Sequence, residues 1–426
     1  MLCALALPVF VAVPSTCHGA EQDDQSPSNV ESLKYPLPET PRIANCDPGI
    51  RGGRLVVAHS GDFRTFSPFD LGHAYTSFEV MRLLFGSLLS FDQQTHEFVP
   101  DLAESWELKE DQKTWIFKLR RGVRWSDGKP FSAEDVVFTI KDLYQSEDVI
   151  FSAWQELKRV GFRFEASKLD DYTVKVAFNQ AYAFALETLS RWKILPRHKF
   201  AAAVAEKRPY SIYTDDSKPQ DVVGTGPFRL KDFRRGEFTL LERNPYYHSV
   251  DKKGTRLPYL DEVLIREVEG DEEKKELFLR RQSDLGKIGI NVEIQWVDFE
   301  TLQQRLHYNH GFECVIFLLS GDKTLPYSTT LKSSGRMHVW RSYRPSEWQG
   351  RLDALMALQS TTLDAATQKK QWDEAQAIMA EQLPLIYTVT RRIHAAARTD
   401  IRNLRPSNST PRHLTWNLEE LYLSRE

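Results

Sequence analysis

The side chains able to do chemistry are scattered along this sequence, and few stand at spacings that would combine them. His307 and His310 are one helical turn apart and could begin a metal site, but no third ligand lies close by in the sequence. Asp170-Asp171 reads as a turn, and Asp271-Glu272-Glu273 as a helix N-terminus whose negative charge the macrodipole favours. Gly224-Thr225-Gly226 lacks the third glycine of a dinucleotide loop and runs into an apolar strand pattern at Phe228 and Leu230. It is a turn leading into a strand. No Gly-x-Ser-x-Gly elbow and no cysteine–histidine constellation supports acyl transfer. A hydrolase built on paired carboxylates has only the abundance of Asp and Glu behind it. No catalytic residue, metal or cofactor is expected.

The elements that must position any site follow from length and pattern. A chain of 426 residues suggests two or three domains. With 27% charged residues and a net charge of −3, neither nucleic acid nor an anionic membrane is an expected partner. The first twenty residues are apolar from Met1 to Pro14 and end in His18-Gly19-Ala20, a secretory signal cleaved near Ala20. Cys17 adds a lipid anchor as the alternative to soluble export. No later stretch is apolar for long enough to span a bilayer. Beyond the leader only Cys46 and Cys314 remain, read as two free thiols or one bridge.

Residues 100 to 139 are the most informative. Trp115, Phe117 and Leu119 mark a strand over 114–119, Gly122 breaks it, and Ser126-Asp127-Gly128-Lys129-Pro130 is a turn. Ser132 caps the next helix with Asp135 in the capping-box position, and Val136, Val137, Ile140 and Leu143 share one face. Trp106, Trp115 and Trp125 are all expected in the core of a small α+β unit. Residues 21–50, rich in proline, serine and acids, read as a disordered or extended leader. Order is expected to begin with a strand over 52–58 and a helix over 75–86, and to include helices from Trp348 to Thr361 and over 364–382.

The segment Pro100-Asp101-Leu102-Ala103-Glu104-Ser105-Trp106, with Arg120-Arg121-Gly122-Val123-Arg124-Trp125 and the turn after it, resembles the signature of the periplasmic dipeptide- and oligopeptide-binding proteins that feed ABC importers. Val222 to Leu230, Leu241 to Tyr247 and Leu257 to Val263 resemble further motifs of that family. The resemblance covers about 50–280 and 283–400. Between them Phe278-Leu279-Arg280 runs almost directly into Asp284-Leu285-Gly286, which resembles a motif much later in the family, so a large internal deletion is expected after about residue 280.

The resemblance implies an α/β, two-lobed binding fold with an extra small α+β domain and a truncated second lobe. The implied parts are a main lobe over 51–86, 200–280 and 390–426, a small domain over 87–199, and a shortened second lobe over 281–389. It implies a periplasmic or cell-surface monomer that holds a peptide or similar small solute between its lobes and hands it to ABC permease subunits. By family position Ser60, Gly61, Asp62, Phe63 and Thr65 face the cleft, and Asp322 in Leu319-Ser320-Gly321-Asp322 receives the solute ammonium. Trp340 stacks on solute or packs in the core. A family member whose shortened lobe no longer binds is the second reading.

Overall fold

The computed structural model describes residues 35–59, 63, 65–68, 75–149, 151–267, 328–335, 346–385, 397–405 and 416–424, with ten further single positions between 287 and 407. These fall into two compact units. Ala181–Phe184 and Glu269–Ile393 form one, and the other holds the rest of the described chain.

The larger unit is built on two four-stranded sheets. In the first, β2 (Arg54–His59) pairs in parallel with β12 (Glu262–Glu267), which is followed by antiparallel β10 (Phe238–Arg243) and β9 (Phe228–Arg234). Alternation buries Leu55, Val57, Leu230, Leu241 and Val263 on one face. On the other face Arg54 bonds Glu262 across the strands at 2.6 Å and Arg229 bonds Glu242 at 2.8 Å, exposed pairs that contribute little to stability. Helix α1 (Tyr75–Leu84) packs near β9, with Met81, Leu83 and Leu84 of its last turn buried.

The turn before β9 explains its two glycines. Gly226 donates its N–H to the Leu84 carbonyl at 2.9 Å, and Gly86 donates to Thr225 Oγ1 at 3.1 Å. A Cβ on Gly224 would lie 2.0 Å from the Leu84 oxygen, and one on Gly226 2.4 Å from the Leu83 oxygen. The glycines exist so that this turn can touch the end of α1.

A hairpin, β3 (Leu89–Phe91) and β4 (Phe98–Pro100), leads into the second sheet. Its strands β5 (Ala103–Leu108), β6 (Thr114–Leu119), β7 (Phe164–Asp170) and β8 (Thr173–Phe178) are antiparallel in the order β5-β6-β8-β7. Helix α2 (Ala133–Phe138) carries the expected capping box: Ser132 accepts from the first turn, and Asp135 returns to the Ser132 N–H at 3.0 Å. The helix then widens into a π-helix over Thr139–Tyr144, where Thr139 Oγ1 donates to the Asp135 carbonyl four residues back and accepts from the Leu195 N–H. The widened turn buries Tyr144 beside Leu143. Of the three tryptophans only Trp125 is fully buried. Trp106 lies on β5 at the edge of the sheet and Trp115 near the start of β6, and both remain half-exposed because fewer neighbours reach those positions.

Two stretches close this unit. Residues 35–50, expected to be disordered or extended, form an extended strap. Glu39 donates its N–H to the Arg121 carbonyl, and β1 (Arg42–Ile43) pairs in parallel with β11 (Ser249–Val250). Ala44 and Cys46 enter a core with Tyr247, Leu257 and Tyr259. Prolines suit an extended strap, and its hydrogen-bond partners lie far away in sequence, where local composition cannot show them. From the other end, β13 (Ile401–Arg402) pairs with β14 (Tyr422–Leu423), and Asn403 Nδ2 donates to the Asp47 carbonyl at 2.7 Å. Cys46 is a free thiol, pushed up to about 12 by burial; Cys314 lies outside the described residues.

In the smaller unit, α3 (Ser328–Leu331), α4 (Glu347–Thr361) and α5 (Ala365–Gln382) enclose Leu331, Leu352, Leu355, Met356, Ala375 and Met379. Asp364 caps α5 through the Thr367 N–H at 2.7 Å, and Arg351 bonds Glu374 with both arms between the helices. The junction near residue 280 lies outside the described residues.

Candidate functional site

The loop after β2 is anchored from below. Phe63 and Phe66, 1% and 0% exposed, pack at a tilt with ring centroids 4.8 Å apart and meet Phe233 of β9 edge-on at 5.6 and 5.0 Å. Phe66 also donates its N–H to the Tyr213 carbonyl, and Tyr213 ties itself to both backbone groups of Val223. Phe63 was expected to face solute. It is instead core, because an aromatic trio buries more apolar surface than a loop tip can. Thr65 is half-buried and its hydroxyl accepts from the Ser67 N–H at 3.1 Å, so it stiffens the loop. Ser60, Gly61 and Asp62 lie outside the described residues, as do Asp322, His307 and His310.

Trp340, in the smaller unit, is held at its edge. Its indole N–H donates to Gln349 Oε1 at 2.8 Å, and Gln349 Nε2 reaches Asp353 at 2.8 Å and the Leu331 carbonyl at 3.0 Å. The His338 ring lies 4.2 Å away, and the half-buried indole packs against the helical core. The ring is fixed in orientation whether or not solute reaches it.

Sequence reasoning missed a buried charge cluster in the larger unit. His248 Nε2 and Asp101 Oδ1 are 2.8 Å apart, with side chains 1% and 8% exposed. Asp101 Oδ2 accepts from the Ser87 N–H at 3.1 Å, and its carbonyl accepts from Arg120 Nε at 2.6 Å. Arg120 reaches on to the Thr40 carbonyl of the strap, and Lys193 Nζ donates to Ser87 Oγ at 3.0 Å. Burial alone would raise the Asp101 carboxyl. The His248 bond, the nearby Arg42 charge and the Ser87 N–H outweigh it and hold Asp101 well below the usual carboxylate range. Burial pushes His248 below its ordinary value, and Lys193 down to about 8 against the pull of Asp101. The pair is therefore an ionised Asp101 bonded by a neutral His248 with its proton on Nε2. His248 Nδ1 is buried without a hydrogen-bond partner. Asp101 and His248 are 147 residues apart; Asp101 sits in the segment that carries the family resemblance, and His248 directly follows the Leu241–Tyr247 motif. No cluster of three or more metal-ligating side chains occurs among the described residues, nor any helix long and apolar enough to cross a membrane.

Residues 97–281 match the family described as bacterial extracellular solute-binding proteins, family 5 Middle. A Deinococcus radiodurans protein named "Probable ABC transporter-binding protein" is 31% identical over 220 residues, 50% of this chain and 36% of the relative. The "Peptide transport periplasmic protein SapA" of Salmonella typhimurium is 29% identical over 213 residues, 46% of this chain and 37% of the relative. The chain thus spans little more than a third of the length of these curated relatives. Among solved structures, the oligopeptide-binding protein AppA of Bacillus subtilis has a TM-score of 0.69 at 18% identity, covering 89% of this chain and 100% of that one. At that identity the likeness is one of fold. Over residues 97–281 the chain is thus similar to family 5 of the bacterial extracellular solute-binding proteins, and its mixed α/β fold is like that of the oligopeptide-binding protein AppA.

Proposed function

We propose that the chain is an extracytoplasmic solute-binding protein of an ABC importer, which takes a peptide or similar small solute and does no chemistry on it. The observation that carries this reading is the family 5 match over residues 97–281. Both relatives described above are named as transport proteins and neither as an enzyme. A secretory signal over 1–20, a periplasmic or cell-surface location, a monomeric state and ABC permease subunits as partners complete the proposal. We assign Ser60, Gly61, Asp62 and Thr65 to solute contact, Asp322 to the solute ammonium, and Trp340 to a stacking contact. A desolvated ammonium needs an ionic, hydrogen-bonded partner, which is the role given to Asp322.

A thermal-shift screen against short peptides tests the reading. A ligand present at a hundred times its Kd stabilises the native state by about 2.7 kcal/mol, well within detection. The expected result is a raised Tm with peptides that carry a free amino terminus, lost in Asp322→Asn and also lost when the peptide is N-acetylated. A well-folded protein that no peptide stabilises would remove the receptor assignment and leave family descent without binding.

A further inference from the structure

The charge cluster around Asp101 joins five separate stretches: the strap through Arg42 and Thr40, the turn after α1 through Ser87, the second sheet through Arg120, the chain at Lys193, and the chain before β11 through His248. We infer that this seam is an acid-released latch: protonation of His248 frees the strap and the second sheet from the first sheet while each sheet stays folded.

The geometry gives the reason. His248 is fully buried and donates from Nε2 to Asp101, while Nδ1 is buried with no partner. A proton on Nδ1 would create a buried cation with an unpaired N–H, which costs several kcal/mol of desolvation. The groups facing it do not relieve that cost. Arg42 and Arg120 both repel a charged His248, and Asp101 is the anion that attracts it. Asp101 is itself already engaged by Arg42 and Ser87. Around them stand Lys193 with Arg82 nearby, Glu104 beside Arg120, and Tyr247, Glu419 and Glu420 beside Arg42.

Burial pushes the Glu420 carboxyl, beside Arg42, above its ordinary 4.5, which favours the docked form as pH falls, so the acid loss in this window belongs to His248. Its docked form binds a proton less readily than the ordinary 6.5, so the stability it contributes is complete above that value and is lost as pH falls through the lower, docked value. Lys193, also depressed, changes stability only between about 8 and its ordinary 10.5, and Asp101 only below its ordinary 3.8. Between roughly pH 4 and 6.5 the histidine therefore titrates without either of them.

Hydrogen exchange of the full chain, followed by mass spectrometry at pH 4 to 7 and corrected for intrinsic rates, tests this. The expected result is loss of protection at the Ser87, Arg42 and Ala44 amides as pH falls, with β6, β8, β10 and β12 still protected. In His248→Gln, whose side-chain amide can donate to Asp101 without titrating, seam protection should persist to lower pH. Simultaneous loss of seam and sheets in the wild-type chain overturns the latch, and so does an unchanged midpoint in H248Q. Should H248Q not fold, nuclear magnetic resonance titration of the His248 ring in the wild-type protein decides. A ring that remains neutral until the seam amides lose protection supports the latch, and one that titrates near 6.5 with the seam intact overturns it.

Discussion

At Gly224 and Gly226 the backbone of the turn before β9 lies so close to the end of α1 that a methyl group has no room. Gly226→Ala must push main chain against main chain, and the expected loss is about 3 kcal/mol or more in denaturant unfolding. A loss below about 1 kcal/mol would mean that the contact yields. The sequence marked this stretch as a turn into a strand; what it could not show was the helix end pressing against it. Asp101 behaves differently. Its carboxyl ionises more readily folded than unfolded, so its contribution is complete above the ordinary value of 3.8 and is lost as pH falls further. Asp101→Asn should cost about 3 kcal/mol at neutral pH by leaving Arg42 without its buried anion, and should flatten the stability profile below about pH 4. Urea melts of both proteins at several pH values check the slope. The cluster itself was hidden, since its members are brought together only by tertiary structure.

Local signals served best at the level of single elements. The Ser132–Asp135 capping box spans three residues, so the sequence contains all of it, and the structure forms it. Ser132→Ala should cost about 1 kcal/mol, and restoring Asp or Asn at that position should recover most of it. The strap is the contrary case. Its residues carry no period, because the chain from 35 to 50 takes its partners from Arg121, His248 and Val250 instead of from itself. The π-helix was equally invisible, for the Thr139 hydroxyl that bridges two backbone segments needs Leu195 in place before it can act.

For the molecule as a whole, the family resemblance and α/β class were legible because the signature segment lies entirely within one compact sheet and its neighbouring turn. Phe63 was not, since a position expected to face a solute is filled here by packing on Phe66 and Phe233. The strap offers a test at this scale. A chain beginning at residue 51 would expose the core of Tyr247, Leu257 and Tyr259 and leave Arg120 without the Thr40 carbonyl. It should bind a hydrophobic dye and melt over a broad range. A sharp transition at the full chain's Tm would show the strap to be dispensable.

Asn403 touches the carbonyl of Asp47, 356 positions earlier in the chain. The strap therefore cannot acquire this closing contact until more than three hundred further residues have been synthesised. Contacts between such distant stretches form slowly. A nascent strap would stay unfinished meanwhile, its apolar residues dependent on whatever shields them.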